Sequence, residues 1–274
     1  MGEPLLNILL VIIAVILLTI ASYQDIKARL VSDWIWLLMI GGGSILHLLQ
    51  FVIALNESIN MDEYLFSLFM NVIIALLLGL FLMLSALGGE ADRIAFFAIA
   101  FVTPQQSAIF PIANADYVYL FSFLPKIIGT FFNAYLLAIL VPIGIFLYNL
   151  IQKRRKGLKY IYPQTSTLAK LFLHFIGYPK ATNAISKEIN ENPWHFDFLE
   201  DFVDGEWKIK FQMQLDTPEA DLEKKLKLAE LLEANEKDFV WVQPSLPFIF
   251  FILIGFILEI LMGNLILSIM SFIL

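Results

Sequence analysis

The sequence predicts an all-α polytopic membrane protein with six transmembrane helices and a small cytoplasmic α+β domain inserted between the fifth and sixth helices. Of its 274 residues, 59% are hydrophobic, and the mean hydropathy is +0.77. Ordinary soluble domains are only about 45–50% apolar, and several runs here reach the ~20 apolar residues that cross a bilayer. The excess apolar residues are therefore expected in membrane spans and not in one large soluble core.

Six apolar segments are predicted to be these spans. They comprise residues 5–23, 34–55, 64–87, 92–112, 125–150 and 246–273. We expect the first to be a retained helix and not a cleaved signal peptide, because the flank Met1-Gly2-Glu3-Pro4 has no positive charge. Polar residues 56–63 predict a turn after the second segment, and Gly88-Gly89 predicts a break after the third.

The polar insert between the fifth and sixth segments is predicted to fold as a soluble domain. Residues 207–215 alternate apolar and polar side chains, which is typical of a half-buried strand. A charged helix is expected from Pro218 to about Ala234, because proline is well tolerated in a first helical turn. A second strand is expected at 239–242. The predicted organisation is residues 1–151 for the first five spans, 152–243 for the α+β domain and 244–274 for the last span.

The distribution of basic residues predicts the orientation in the membrane. Lys27 and Arg29 follow the first span, Arg93 follows the third, and the basic run 153–156 follows the fifth. Cytoplasmic loops of membrane proteins retain positive charge. We therefore expect a multi-pass cell-membrane protein with its soluble domain on the cytoplasmic side and both termini outside, with Lys126 as the one basic residue near an outer helix end.

Composition also excludes several classes of function. The chain has no cysteine, so disulfides, thiolate metal sites and a cysteine nucleophile are excluded. His47, His174 and His195 lie too far apart in the sequence to suggest a zinc site, and neither a metal nor another cofactor is expected. The net charge of −7 and the lack of a basic stripe argue against nucleic-acid binding. Membrane lipids are expected partners, with anionic headgroups at the basic run 153–156.

Two aspartates are the candidate catalytic residues. Asp25 closes the first predicted span and Asp92 opens the fourth, so two complete crossings between them place both on the cytoplasmic side. If their helices pack together, the carboxyl groups can share one proton. The ionised partner could then take a proton from water that attacks a peptide carbonyl, while the protonated partner donates one. That chemistry is aspartic proteolysis.

The sequence around both aspartates resembles the archaeal preflagellin and type IV prepilin peptidases, which are membrane aspartic proteases of the GxGD type. Gly89-Glu90-Ala91-Asp92 fits their G-x-hydrophobic-D motif, and Asp25-Ile26-Lys27-Ala28-Arg29 fits their upstream block. The likeness extends to Asn133 and Asn149 in the fifth span and to residues 240–248, which enter the sixth. It therefore touches both ends and the middle of the chain.

The resemblance implies a membrane aspartic endopeptidase with Asp25 and Asp92 as catalytic residues and Gly89 and Ala91 as supporting motif positions. Its expected substrates are archaellin or type IV pilin-like precursors, from which it removes the short basic leader (class III signal peptide) at the cytoplasmic membrane face. Ala91 departs from the second glycine of the bacterial motif, and the cysteine-rich loop of many bacterial relatives is missing. Methylation of the mature N-terminus is therefore not expected.

Ordinary structural roles compete with these interpretations. Asp92 could be a simple N-cap, and Asp33 is expected to cap the second span. Glu259 lies in the middle of the sixth apolar segment, where an ionisable group is a functional candidate, but a protonated or paired structural role is favoured. Seven acids with no intervening Lys or Arg could attract a basic leader or could form a solvated face: Glu188, Glu191, Asp197, Glu200, Asp201, Asp204 and Glu206.

Two other functions stay open at this point. An intramembrane GxGD-type protease would cut within transmembrane helices and would need its acids deeper in the bilayer than the span ends. A proton-coupled transporter could use Asp25, Asp92 or Glu259 as proton carriers. Such transporters usually contain interrupted helices in corresponding halves, and the sequence shows no such symmetry.

Overall fold

The computed structural model of the protein describes residues 2–57, 61–85, 89–103, 125–156, 166–209, 218–235, 237–266 and 269. The described chain forms two compact units, Met1–Ala138 with Pro247–Leu274, and Ile139–Leu246. Its helices are α1 Gly2–Ala28, α2 Asp33–Glu57, α3 Met61–Ser85, α4 Glu90–Ala100, α5 Lys126–Ala138, α6 Leu140–Lys156, α7 Thr167–Ile176, α8 Ile185–Glu191, α9 Pro218–Ala234 and α10 Phe248–Met262. The strands are β1 Tyr178–Ala181, β2 Phe196–Phe198, β3 Glu200–Val203, β4 Glu206–Ile209 and β5 Phe239–Pro244.

Four helical stretches in the described residues are long and apolar enough to cross a membrane: Pro4–Ala28, Asp33–Leu55, Leu65–Leu84 and Lys126–Gln152. They correspond to the first, second, third and fifth predicted spans. The fourth and sixth are represented by the shorter helices α4 and α10. Residues 104–112 of the fourth segment, and residues 267–268 and 270–273 of the sixth, lie outside the described residues. The structure thus confirms a mostly helical membrane protein, while the count of six spans stays a prediction.

The fifth predicted span is divided into two helices at Ile139. Pro142 explains the division, because it has no N–H to donate to the carbonyl of Ala138 one turn earlier. Within the described residues, the sixth predicted span contains helix α10 from Phe248 to Met262. Its helix α10 ends at Gly263, which adopts φ +83, a left-handed conformation that glycine accepts without a steric penalty.

The first unit is a helical bundle with α10 as its central element. This helix packs against α1, α4 and α5, while α2 packs against α1 and α4. Phe96 and Phe256 are fully buried in the shared core. Gly255 allows α10 and α5 to approach closely, because an added Cβ would lie 2.7 Å from the backbone nitrogen of Ala134. His47 is hydrogen-bonded in the interior, with Nδ1 2.9 Å from Oε1 of Gln50.

The second unit contains a small antiparallel sheet of order β1-β5-β2 and a separate hairpin of β3 and β4. Ile185 and Ile189 of α8 and Leu232 of α9 pack with Val240 in its core. Helix α9 and strand β5 confirm the predicted helix and second strand. The predicted strand 207–215 begins as β4, and its later residues lie outside the described residues.

Candidate active site

Asp25 lies in the last turn of α1 and is 8% exposed. Its Oδ2 accepts a hydrogen bond of 3.2 Å from the backbone N–H of Ile249, in the first turn of α10. N–H groups in a first helical turn have no partner within their own helix. The Asp25 carboxylate therefore caps α10, and Arg29 lies beside it with Nη1 3.9 Å from Oδ1.

The turn after Asp25 has a defined backbone. Arg29 adopts φ 57, which is uncommon for a residue other than glycine, and its N–H donates to the carbonyl of Asp25 at 3.0 Å. This arrangement is the left-handed motif that ends many helices. Oε1 of Gln24 accepts from the N–H of Ser32 at 2.9 Å, which closes the connection to α2. Asp33 is the first residue of α2.

Asp92 is the third residue of α4, and the N-cap position belongs to Gly89. Its Oδ2 accepts from the N–H of Gly89 at 2.8 Å, so the side chain closes the start of its own helix from the N3 position. Gly89 has φ −66, and an added Cβ would make only ordinary contact with the Asp92 carboxylate. Ala91 packs against the bundle core, whereas Glu90 is exposed. The hydrophobic motif position is thus the one that faces inward.

The two aspartates occupy one end of the bundle. Asp92 interacts electrostatically with Asp25. Asp92 also interacts electrostatically with Arg29 and Arg93. Helices α1 and α4 both pack against α2 and α10, and these shared neighbours place the two carboxylates within electrostatic range of each other. One oxygen of each carboxylate is engaged by a backbone N–H, so both side chains are held in place by main-chain groups.

Tyr135 of α5 is a further candidate that the sequence analysis missed. Its ring packs against Phe131 and Phe248, with centroids 4.5 and 4.7 Å away. The hydroxyl is buried without a hydrogen-bond partner among the described residues, and it lies within electrostatic range of Asp92. A tyrosine in an apolar span carries no signal of its own, because only the fold places it beside the aspartates.

Glu259 belongs to a different cluster, in the last turn of α10. It is 9% exposed, and its Oε2 lies 3.4 Å from Nδ2 of Asn133. Asn133 also donates to the carbonyl of Gly263 at 3.2 Å and accepts from the N–H of Leu265 at 2.9 Å. Gly129 of α5 lies directly against the Glu259 carboxylate, where a Cβ would overlap it. This pairing within the bundle agrees with the structural role expected for Glu259.

Lysines from elsewhere in the sequence pair with most of the acidic run 188–206. The pairs are Glu188 with Lys180, Glu191 with Lys187, Asp197 with Lys225, Glu200 with Lys237 and Asp204 with Lys208. Burial lowers the pKa of Lys237, and its hydrogen bond to Glu200 opposes this shift. Because five of the seven acids face a lysine, the run is not the uncompensated acidic surface that a basic leader would need.

Comparison with known protein families indicates the class of protein. Residues 169–265 match the family described as Archaeal Peptidase A24 C-terminus Type II. Together with its apolar helices, this match makes the chain a membrane peptidase, and it gives no support to a transporter. The matched residues contain neither Asp25 nor Asp92.

A curated relative then narrows the class. The chain is 27% identical over 264 residues to the preflagellin peptidase of Methanocaldococcus jannaschii. The aligned region covers 94% of this chain and 95% of the relative. The two findings together support an archaeal preflagellin or prepilin peptidase. They confirm the resemblance that the motifs around Asp25 and Asp92 predicted.

Proposed function

We propose that the protein is an aspartic endopeptidase that removes the short basic leader from archaellin or type IV pilin-like precursors at the cytoplasmic membrane face. Asp25 and Asp92 are its catalytic residues. The observation that carries the proposal is that the two carboxylates lie within electrostatic range of each other at one end of the bundle, although they come from distant parts of the sequence. The relative that matches nearly the whole chain is a preflagellin peptidase, which supports the choice of substrate.

The pair performs hydrolysis with one shared proton. The ionised carboxylate takes a proton from a water molecule as the water oxygen attacks the carbonyl carbon of the scissile peptide. The protonated carboxyl group donates its proton to the carbonyl oxygen. The attack and this proton transfer together convert the peptide carbonyl into a tetrahedral diol. As the diol collapses, one of its hydroxyl groups returns a proton to the second carboxylate, the C–N bond breaks, and the proton held by the first carboxyl group passes to the leaving amine. The N–H groups of Ile249 and Gly89 keep both carboxylates oriented.

Tyr135 supplies a hydrogen bond to the bound substrate. Its buried hydroxyl near Asp92 has no partner among the described residues, and an unsatisfied buried hydroxyl costs free energy. A backbone carbonyl of the precursor placed at the aspartates would accept from it. This hydrogen bond would hold the scissile peptide at the catalytic pair.

The position of the pair favours a leader peptidase over an intramembrane protease. Asp25 lies in the last turn of α1 and Asp92 in the first turn of α4, so both are at helix ends. Cleavage inside a transmembrane helix needs acids at greater depth. A precursor whose basic leader precedes its hydrophobic segment would present the junction of the two at this level.

The test is cleavage of a purified archaellin precursor by the full chain in detergent, with the product mass identifying the cut. We expect a single cut between the leader and the hydrophobic segment. Asp25→Asn and Asp92→Asn should each slow it by roughly 10²–10⁴-fold, the usual contribution of acid–base catalysis. Asp33→Asn is the matched control, since this neighbouring acid at the start of α2 has no assigned catalytic role, and it should cleave like the wild type.

Three results would overturn the proposal. If the wild type leaves the precursor intact, the proposed peptidase activity is wrong. If Asp25→Asn or Asp92→Asn retains full activity, the proposed catalytic mechanism is wrong. A cut within the hydrophobic segment would favour the intramembrane protease. The Asn variants keep an oxygen that can accept from Ile249 or Gly89, so they preserve both caps and separate lost chemistry from lost folding.

A further inference from the structure

Helix α7 presents an apolar stripe that neither the motifs nor the proposed chemistry explains. Leu168, Leu171, Phe172 and Phe175 recur at the spacing that places side chains on one helix face. The first three are 70%, 50% and 61% exposed. Contiguous exposed apolar residues of this kind mark an interaction surface. Lys170 and His174 lie on the opposite side of the helix.

The C-terminal end of α7 is fixed to α6. The ring of Phe175 stacks on Phe146 of α6, with centroids 4.4 Å apart and an interplanar angle of 7°. Nδ2 of Asn149 donates to the carbonyls of His174 at 3.0 Å and Gly177 at 2.7 Å. These are carbonyls that a helix end leaves without internal partners. Asn149 is fully buried, so the attachment of α7 to α6 belongs to the packed interior of the second unit.

The attachment point of α7 lies near the end of an apolar stretch. Helix α6 completes the apolar stretch Lys126–Gln152, which is long enough to cross a bilayer. Phe146 lies almost two turns before Gln152, about 9 Å along the axis at 1.5 Å per residue. Tyr148 packs edge to face with Tyr178 at 6.1 Å, and tyrosines are enriched where acyl chains meet headgroups.

We propose that α7 is an interfacial helix whose stripe of Leu168, Leu171 and Phe172 inserts into the membrane surface and seats the second unit on the bilayer. The occupant of this surface is lipid. The stripe continues from Phe175, which packs on Phe146 in the apolar stretch Lys126–Gln152. The basic sequence at the end of α6, Lys153-Arg154-Arg155-Lys156, suits anionic lipid headgroups. The inference does not depend on the peptidase activity.

The absence of cysteine from the chain makes the test direct. Leu168→Cys and Phe172→Cys are each spin-labelled in the full chain, reconstituted at one copy per nanodisc of phosphatidylglycerol and phosphatidylcholine. Collisions with oxygen, which partitions into lipid, are compared with collisions with a water-soluble nickel chelate. Leu147→Cys, 52% exposed on α6, is the lipid reference. Lys187→Cys, whose side chain is 79% exposed on α8, is the water reference.

Labels at positions 168 and 172 are expected to match the lipid reference, with high oxygen and low nickel accessibility. A Lys170→Cys label on the opposite face should move towards the water reference. Two results would overturn the inference. Nickel accessibility at 168 and 172 equal to that at 187 would place the stripe in water. Low accessibility to both reagents would show that protein covers the stripe and that lipid does not.

Discussion

The first unit contains two buried acidic sites that are held in different ways. Asp25 contacts the first turn of α10, and Glu259 lies in the last turn of this helix of 15 residues. At a rise of about 1.5 Å per residue the two sites are roughly 15 Å apart. Asp25 and Asp92 each accept a backbone N–H at a helix end. Glu259 instead interacts with the side chain of Asn133 and packs against Gly129.

This difference separates a reactive arrangement from a structural one. Main-chain donors orient Asp25 and Asp92, which lie within electrostatic range of each other. The Tyr135 hydroxyl, which has no partner among the described residues, lies within electrostatic range of Asp92. Glu259 and Asn133 contribute to the interface between α5 and α10. Substitutions at the first site should therefore reduce activity with little loss of stability, whereas substitutions that disturb the α5–α10 interface should reduce stability.

The largest effect is expected from lengthening the side chain of either proposed catalytic aspartate. Asp25→Glu and Asp92→Glu keep the charge but displace the carboxylate by one methylene, which removes it from its backbone donor and from its partner. A carboxylate displaced in this way loses its acid–base contribution, which is about 10²–10⁴-fold in rate. Steady-state cleavage of an archaellin precursor should show a fall in kcat with little change in KM. Asp33→Glu is the control, and an equal loss there would point to a general effect of an added methylene.

The next largest effect is expected for Tyr135→Phe. Removal of a hydroxyl that donates to the reacting carbonyl typically costs about 10²–10³-fold in kcat. Stability should be unchanged or slightly higher, because the hydroxyl has no partner among the described residues. Precursor cleavage and thermal unfolding are measured on the same sample. Unchanged cleavage would remove Tyr135 from the substrate site.

A loss of stability is expected for Gly255→Ala in the α5–α10 interface. The added methyl group would meet the backbone of Thr130 and Ala134 at 2.8 and 2.7 Å, and backbone cannot move aside as a side chain can. Overpacking of this kind costs about 1–3 kcal/mol. Gly79→Ala in α3 is the matched control, since nothing lies within 4 Å of its added Cβ. Equal unfolding midpoints for the two variants would contradict the close packing.

The smallest effect is expected for Glu259→Gln. The amide keeps an oxygen near Nδ2 of Asn133 and the volume that fills the space beside Gly129, so both packing and cleavage should stay at the wild-type level. Precursor cleavage in the same assay provides the measurement. A loss as large as that of Asp92→Asn would make Glu259 part of the chemistry and erase the distinction between the two acidic sites.

Four of the six predicted spans, and the nearness of Asp25 and Asp92, could be predicted from sequence for simple physical reasons. Apolar length reveals a membrane helix, and counting crossings places Asp25 and Asp92 on one side without any knowledge of packing. Tyr135, the stripe of α7 and the lysines opposite the acidic run could not be predicted. Each depends on which distant segments the fold brings together, as when Lys225 of α9 reaches Asp197 of β2 at 2.7 Å.

The turn chemistry was predicted only in part. Asp92 was a candidate N-cap, but the structure gives that position to Gly89 and places Asp92 at N3, where its carboxylate accepts from the cap. The sequence also suggested that Asp25 follows the first span. Because α1 continues to Ala28, Asp25 lies within its last turn.

The claim that Asp25 and Asp92 act as one pair is tested most directly by the double variant Asp25→Asn/Asp92→Asn beside the two single variants. Residual cleavage of an archaellin precursor is quantified over long incubations by product mass. Residues that act as a unit give strongly non-additive losses, so the double variant should be no slower than the slower single variant. A single variant that cleaves at the wild-type rate, or a double loss equal to the product of the two single losses, would contradict the pair.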